Sequence, residues 1–168
     1  MFFLGKLRVP IVSDLTETER LALHEALDNE YRAWATYDRV ALDFSDAPQF
    51  EQLRVIEAEH IAALQQLFER YAQSPPQNRW VGNVPRYGSV CEACEAGADA
   101  AGADAALYAR LRASTQRGDI LEVFKRLEAE AGSRKLRALQ RCEPLECGQS
   151  ELPPRRLARA RGAANRSN

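Results

Sequence analysis

Leu23, Leu27, Glu30, Trp34, Tyr37, Ala41 and Phe44 recur at alternating steps of four and three, a rhythm that places all seven on one side of a helix. The helix is predicted to begin near Glu17, because Thr16 and Glu19 have the spacing of a capping box. In that motif the threonine hydroxyl and the glutamate side chain each satisfy a backbone N–H left free at a helix start. After the stretch DFSDAP, whose proline suits a first helical turn, a second run carries Phe50, Leu53, Glu57, His60, Leu64, Leu67 and Tyr71 at the same steps. It predicts a helix over 47–72. Each apolar stripe is broken by polar residues: Glu30 in the first, Glu57 and His60 in the second.

Residues 73–89 contain three prolines and two glycines and have no helical period, so they predict an ordered connection rather than a turn. At about 3 Å per residue the segment spans roughly 50 Å, enough to travel the length of a 25-residue helix. A third helix is predicted over 90–114, weakened by Gly97 and Gly102 at about 1 kcal/mol each against alanine. A fourth opens at Gly118 and Asp119, uses Leu121, Phe124, Leu127, Ala131 and Ala138 as apolar positions, and ends near Arg141. No stretch predicts a sheet. The expected fold is all-α, an up-down four-helix bundle with one long crossover between helices 2 and 3. It divides into an N-terminal extension over 1–14, the bundle over 15–147, and a basic tail over 148–168 whose composition predicts disorder.

Composition sharpens this in two ways. With 168 residues, 45% of them hydrophobic and 28% charged, the chain suffices for one cored domain and not for two ordinary ones. The formal charge of -1 hides a local charge of +4 between Glu151 and Asn168, so the body is about -5, which argues against a general nucleic-acid binder. The opening MFFLGK has too short an apolar run for a signal peptide or a membrane span, and the expectation is a soluble, cytoplasmic protein.

If the first two helices form an antiparallel hairpin about residues 44–47, Glu30, Glu57 and His60 all lie roughly 15 to 20 Å from its tip at 1.5 Å per residue. A lone buried carboxylate costs several kcal/mol unless it is paired, protonated or bound to a cation. Two explanations fit three such residues at one level. One is a divalent iron, manganese or zinc ion, for which carboxylate oxygen and imidazole nitrogen are suitable ligands; the other is a hydrogen-bonded polar layer without metal.

A seam glutamate in NEYRAWATYD, followed by EAEH on the next helix and a long crossover, resembles the ferritin-like superfamily, especially rubrerythrin-like proteins. The resemblance covers residues 15–142. It implies a dinuclear iron or manganese centre, reactive with oxygen or peroxide or able to oxidise and store iron, to which each helix pair gives one glutamate and one Glu-x-x-His. It also implies a homodimer and, if the protein is an enzyme, an external electron donor. Glu30, Glu57 and His60 match the first half of that ligand set. The second half departs from it, with Ala101 where a glutamate is expected and Lys135 in place of the histidine. Either Lys135 turns inward and its ammonium neutralises Glu30 or Glu57, leaving a metal-free remnant, or it reaches solvent and the three remaining ligands hold one ion. Tyr37, one heptad after Glu30, and Glu128, on the stripe of Ala131 and Lys135, are candidates to support the ligands. His24, off the seam, is given no role. Two function classes follow: a metal-dependent oxidoreductase or metal handler, and a non-catalytic bundle serving an interaction or structural role.

Cys91 and Cys94 open the third helix while Cys142 and Cys147 close the fourth, so an antiparallel pairing gathers all four at one end. A four-thiolate zinc site, one or two disulfides, and free thiols are all compatible with that placement. If a single link forms, Cys94 with Cys142 is the expected pair, because each lies nearest its helix body.

Overall fold

The computed structural model describes residues 14–140. The expectations for the N-terminal extension, for Cys142 and Cys147, and for the basic tail lie outside the described residues. Four long helices account for most of the rest: α1 (Glu17–Asp43), α2 (Pro48–Arg70), α3 (Val90–Leu111) and α4 (Gly118–Glu130). A 3₁₀ turn, Arg112–Ser114, ends α3, and α4 passes into a π turn, Ala131–Lys135, before α-helix resumes over 136–140. No strand occurs among the described residues.

The local signals act as the sequence indicates. The Thr16 backbone N–H donates to Glu19 Oε2 at 2.9 Å and the Glu19 N–H to Thr16 Oγ1 at 3.2 Å, closing the capping box. Pro48 occupies the first turn of α2, where its missing N–H costs nothing. Ser89, which caps α3 by accepting from the Glu92 N–H, sets the end of the crossover.

Residue pairs across the bundle fix its directions. Arg54 meets Asp38 and Gln65 meets Tyr31, so α2 runs antiparallel to α1. Lys135 meets Asp104 and Arg112 meets Glu128, so α4 runs antiparallel to α3. Asn29 with Asp104 and Glu25 with Arg110 set α3 antiparallel to α1. Thus α2 and α3 point the same way, and the link between them must travel the length of the bundle. It does so strapped to α1: Arg79 and the Trp80 indole N–H bind Asp28, and Arg86 binds Asp43 one end further on.

All seven predicted seam residues of α2 are buried. In α1, Leu23, Leu27, Glu30 and Tyr37 are buried, whereas Trp34, Ala41 and Phe44 are only partly so. The core forms two apolar halves, one around Leu27, Leu64, Tyr108 and Phe124 and the other around Tyr37, Phe50, Leu53 and Leu139. Between them, at mid-height, lie Glu30, Glu57, His60, Asp104 and Lys135, each at most 4% exposed.

Candidate metal centre

Each residue at this level is delivered by the helix geometry just described. Glu30 projects from α1 one turn beyond Leu27, and Glu57 and His60, three apart on α2, share a face. Lys135 comes from the π turn, whose i→i+5 bonding takes one extra residue into the helix. Ala131, Lys135 and Leu139 thereby fall on the buried face at steps of four. The expected apolar position Ala138 is displaced by Leu139, which is 0% exposed.

The three ligand candidates share one arrangement: in each, one polar atom is held by a neighbour and the other faces a common point. The Tyr108 hydroxyl donates to Glu30 Oε1. The Lys135 ammonium lies 2.9 Å from Glu57 Oε1, a close ion pair without hydrogen-bond alignment. His60 Nε2 lies 2.9 Å from Glu130 Oε2. The remaining atoms converge, with His60 Nδ1 at 3.0 Å from Glu30 Oε2 and 3.2 Å from Glu57 Oε2. A cation with ligand bonds of about 2.1 Å at angles near 90 to 110° has ligand-to-ligand edges of about 3.0 to 3.4 Å. Both His60 edges fall in this range, and Glu30, Glu57 and His60, each offering a ligand atom within 4.8 Å of the others, could hold one ion.

A second ion does not fit. Lys135, 1% exposed, places its ammonium 2.9 Å from both Glu57 Oε1 and Asp104 Oδ2, where its charge does the work of a cation. Of the two fates open to this lysine, the inward one is observed. Asp104 is in turn held by the Asn29 amide at 2.8 Å. Ala101 lies fully buried in the apolar core and offers no ligand, but Asp104, one turn on, brings a carboxylate to the same level.

Charge and burial compete strongly here. Burial pushes the Glu57 carboxyl up and the Glu30 charge adds to it, against Lys135, so that it titrates at about 8. Burial likewise works against charged Glu30, but Lys135 and the neighbouring Glu57 and His60 hold it well below the usual carboxylate range. For His60, burial opposes protonation and the two glutamates outweigh it, raising the ring to about 10.

The supporting residues differ from expectation. Glu128 turns away and accepts from Arg112 at 2.6 Å, so it has no part in the site; Glu130, two residues on, takes that place. Tyr37 is 3% exposed beside the cluster, packs at 6.0 Å from the Phe50 ring, and makes no hydrogen bond to a described residue. His24 packs edge-on against Phe68. Cys91 and Cys94 are disulfide-bonded, so neither supplies a thiolate for a zinc site.

Glu130 and Tyr108 do not stand out in the sequence, and Asp104 reads there only as an acid flanking Ala101. Asp104 and Tyr108 sit three and seven residues after Ala101, a helical spacing that marks them as neighbours of that position.

No protein-family model matches the chain and no curated protein matches it. Its fold is similar to that of a hypothetical protein, MJ0754, from Methanococcus jannaschii DSM 2661, with a TM-score of 0.71 over 80% of this chain and 84% of that one. At 20% identity the likeness is one of fold. No described helix is long and apolar enough to cross a membrane.

Proposed function

We propose that this chain is a ferritin-like protein that binds a single divalent metal ion through Glu30 Oε2, Glu57 Oε2 and His60 Nδ1. The observation that carries the reading is the paired use of each ligand: the outward atom is fixed by Tyr108, Lys135 or Glu130, and His60 Nδ1 lies at the edge length of a coordination sphere from both inward carboxylate oxygens. The Glu130 carboxylate on His60 Nε2 is the kind of partner that fixes a metal-bound imidazole's tautomer and raises its basicity. The crossover between two antiparallel helix pairs supports the ferritin-like reading.

Two carboxylates and one imidazole suit manganese, iron or zinc. When bound, such an ion supplies a Lewis acid, or with iron or manganese a redox centre for oxygen or peroxide. The protein's part is to hold the ligands dry and oriented, and to replace the second cation of a dinuclear site by Lys135. The fitting activity is metal handling or mononuclear chemistry, with any electrons delivered by an external donor.

Metal analysis of protein purified without chelator tests this. One equivalent is expected, lost in Glu57→Gln and His60→Gln, with the ion visible by anomalous scattering beside Glu57. Two equivalents would overturn the single-site reading. A second reading, a metal-free bundle in a structural role, is favoured by two observations: Lys135 turns inward and sets its ammonium against Glu57 and Asp104, and the inward atoms already hydrogen-bond to one another through His60. It predicts no uptake of manganese, ferrous iron or zinc, and no change in melting temperature on their addition.

A further inference from the structure

A cavity of about 410 Å³ lies between α1 and α3, under the crossover. Its floor is a stripe of small residues on α3, Ala96, Ala100 and Ala103, and its roof is formed by the crossover residues Trp80, Pro85 and Tyr87. Flat apolar walls on both sides suit a planar ring, and the volume is that of a small-molecule site.

Two polar groups line this space, one buried and one exposed. Tyr37 lines the cavity, is 3% exposed, and its hydroxyl makes no hydrogen bond to any described residue. Arg32 also lines it and uses one N–H on Asn29 Oδ1 at 2.8 Å; its other donors have no acceptor among the described residues. The Arg32 guanidinium lies 5.9 Å from the Trp80 ring centroid, which holds it at the edge of the roof. Of the two acids in the lining, Asp104 has both oxygens engaged by Asn29 and Lys135, and Asp99 is exposed. Arg32, exposed like Asp99, keeps guanidinium donors that Asn29 does not use, and these can fork onto an anion.

We propose that this cavity binds a small aromatic carboxylic acid, its ring between Trp80 and the alanine floor, its carboxylate on Arg32 and a distal hydroxyl on Tyr37. A guanidinium fork recognises a carboxylate bidentately, which a neutral or cationic ring of the same shape does not exploit.

The test is calorimetric titration of the full chain with 4-hydroxybenzoate, benzoate, benzyl alcohol and benzylamine, before and after chelator treatment, so that the result stands apart from metal binding. The acids are expected to bind more tightly than the alcohol or amine, with 4-hydroxybenzoate ahead of benzoate. Arg32→Gln weakens both acids about tenfold or more and leaves benzyl alcohol unchanged. Tyr37→Phe removes the preference for the hydroxylated acid. Ala100→Phe, at an exposed helix position that preserves the fold by circular dichroism, fills the cavity and abolishes binding. Equal binding of the amine or the alcohol, no binding of any probe up to about 10 mM, or undiminished binding to Ala100→Phe would each overturn the proposal.

Discussion

An ammonium that is 1% exposed between Glu57 and Asp104 is stable because the Glu30 and Asp104 charges offset its desolvation, and they depend on it in return. Lys135→Met keeps the volume of the stem and removes the charge. It is expected to cost about 3 to 5 kcal/mol in urea denaturation, since it strands the Asp104 carboxylate and removes a positive charge that favours ionised Glu30. Adding Asp104→Asn should recover part of that loss, because the stranded carboxylate is then gone. A loss under about 1 kcal/mol would place the charge elsewhere, in water. Glu57 and His60 were legible in the sequence because polar residues stand out in an apolar stripe. Asp104 and Glu130 were not, because α3 and α4 carry acids on several faces and only the packing decides which one turns inward.

Helix α2 follows the three-and-four rhythm read from the sequence throughout and α1 follows it over Leu23, Leu27, Glu30 and Tyr37, whereas α4 and its continuation bury Ile120 and Leu139 and leave the expected Leu121 and Ala138 only partly covered. The π turn at Ala131–Lys135 carries no apolar signature, since its residues are small or basic, and so the switch from Ala138 to Leu139 was not legible. The glycines of α3 show the same limit. Composition assigns Gly97 and Gly102 equal costs, yet a Cβ at Gly97 would lie 2.7 Å from Leu139 Cδ2, whereas one at Gly102 would meet nothing within 4 Å. Gly97 is therefore the groove into which Leu139 packs, and Gly102 is an unspent helix defect. Gly102→Ala should stabilise the protein by up to about 1 kcal/mol. Gly97→Ala should destabilise it by about 1 kcal/mol or more, as Leu139 is forced off its site. Equal and favourable shifts in the two denaturation midpoints would show that Leu139 repacks freely.

At the scale of the whole bundle, the five fully buried polar residues have two ways of reaching neutrality among themselves, with the partly exposed Glu130 outside the sum. Without metal near pH 7, a protonated Glu57 and charged His60 and Lys135 balance anionic Glu30 and Asp104. With one divalent ion, Glu57 and the imidazole each give up a proton, and the sum is again zero. Metal uptake should thus release about two protons per ion near pH 7, measurable by titration in buffers of differing ionisation enthalpy. The same protons set the stability of the metal-free protein. Folding raises Glu57 from an ordinary value of 4.5 to about 8 and His60 from 6.5 to about 10, so both bind protons more tightly folded than unfolded. The stability from Glu57 is full below 4.5 and gone above 8, and that from His60 is full below 6.5 and lost through 10. The melting temperature of chelator-treated protein should fall from about pH 6 to about pH 10, while the metal-loaded protein, its ligands already deprotonated, holds steadier. A flat curve for the chelator-treated protein would mean that the cluster does not carry these protons, and metal uptake without proton release would place the ion at other residues.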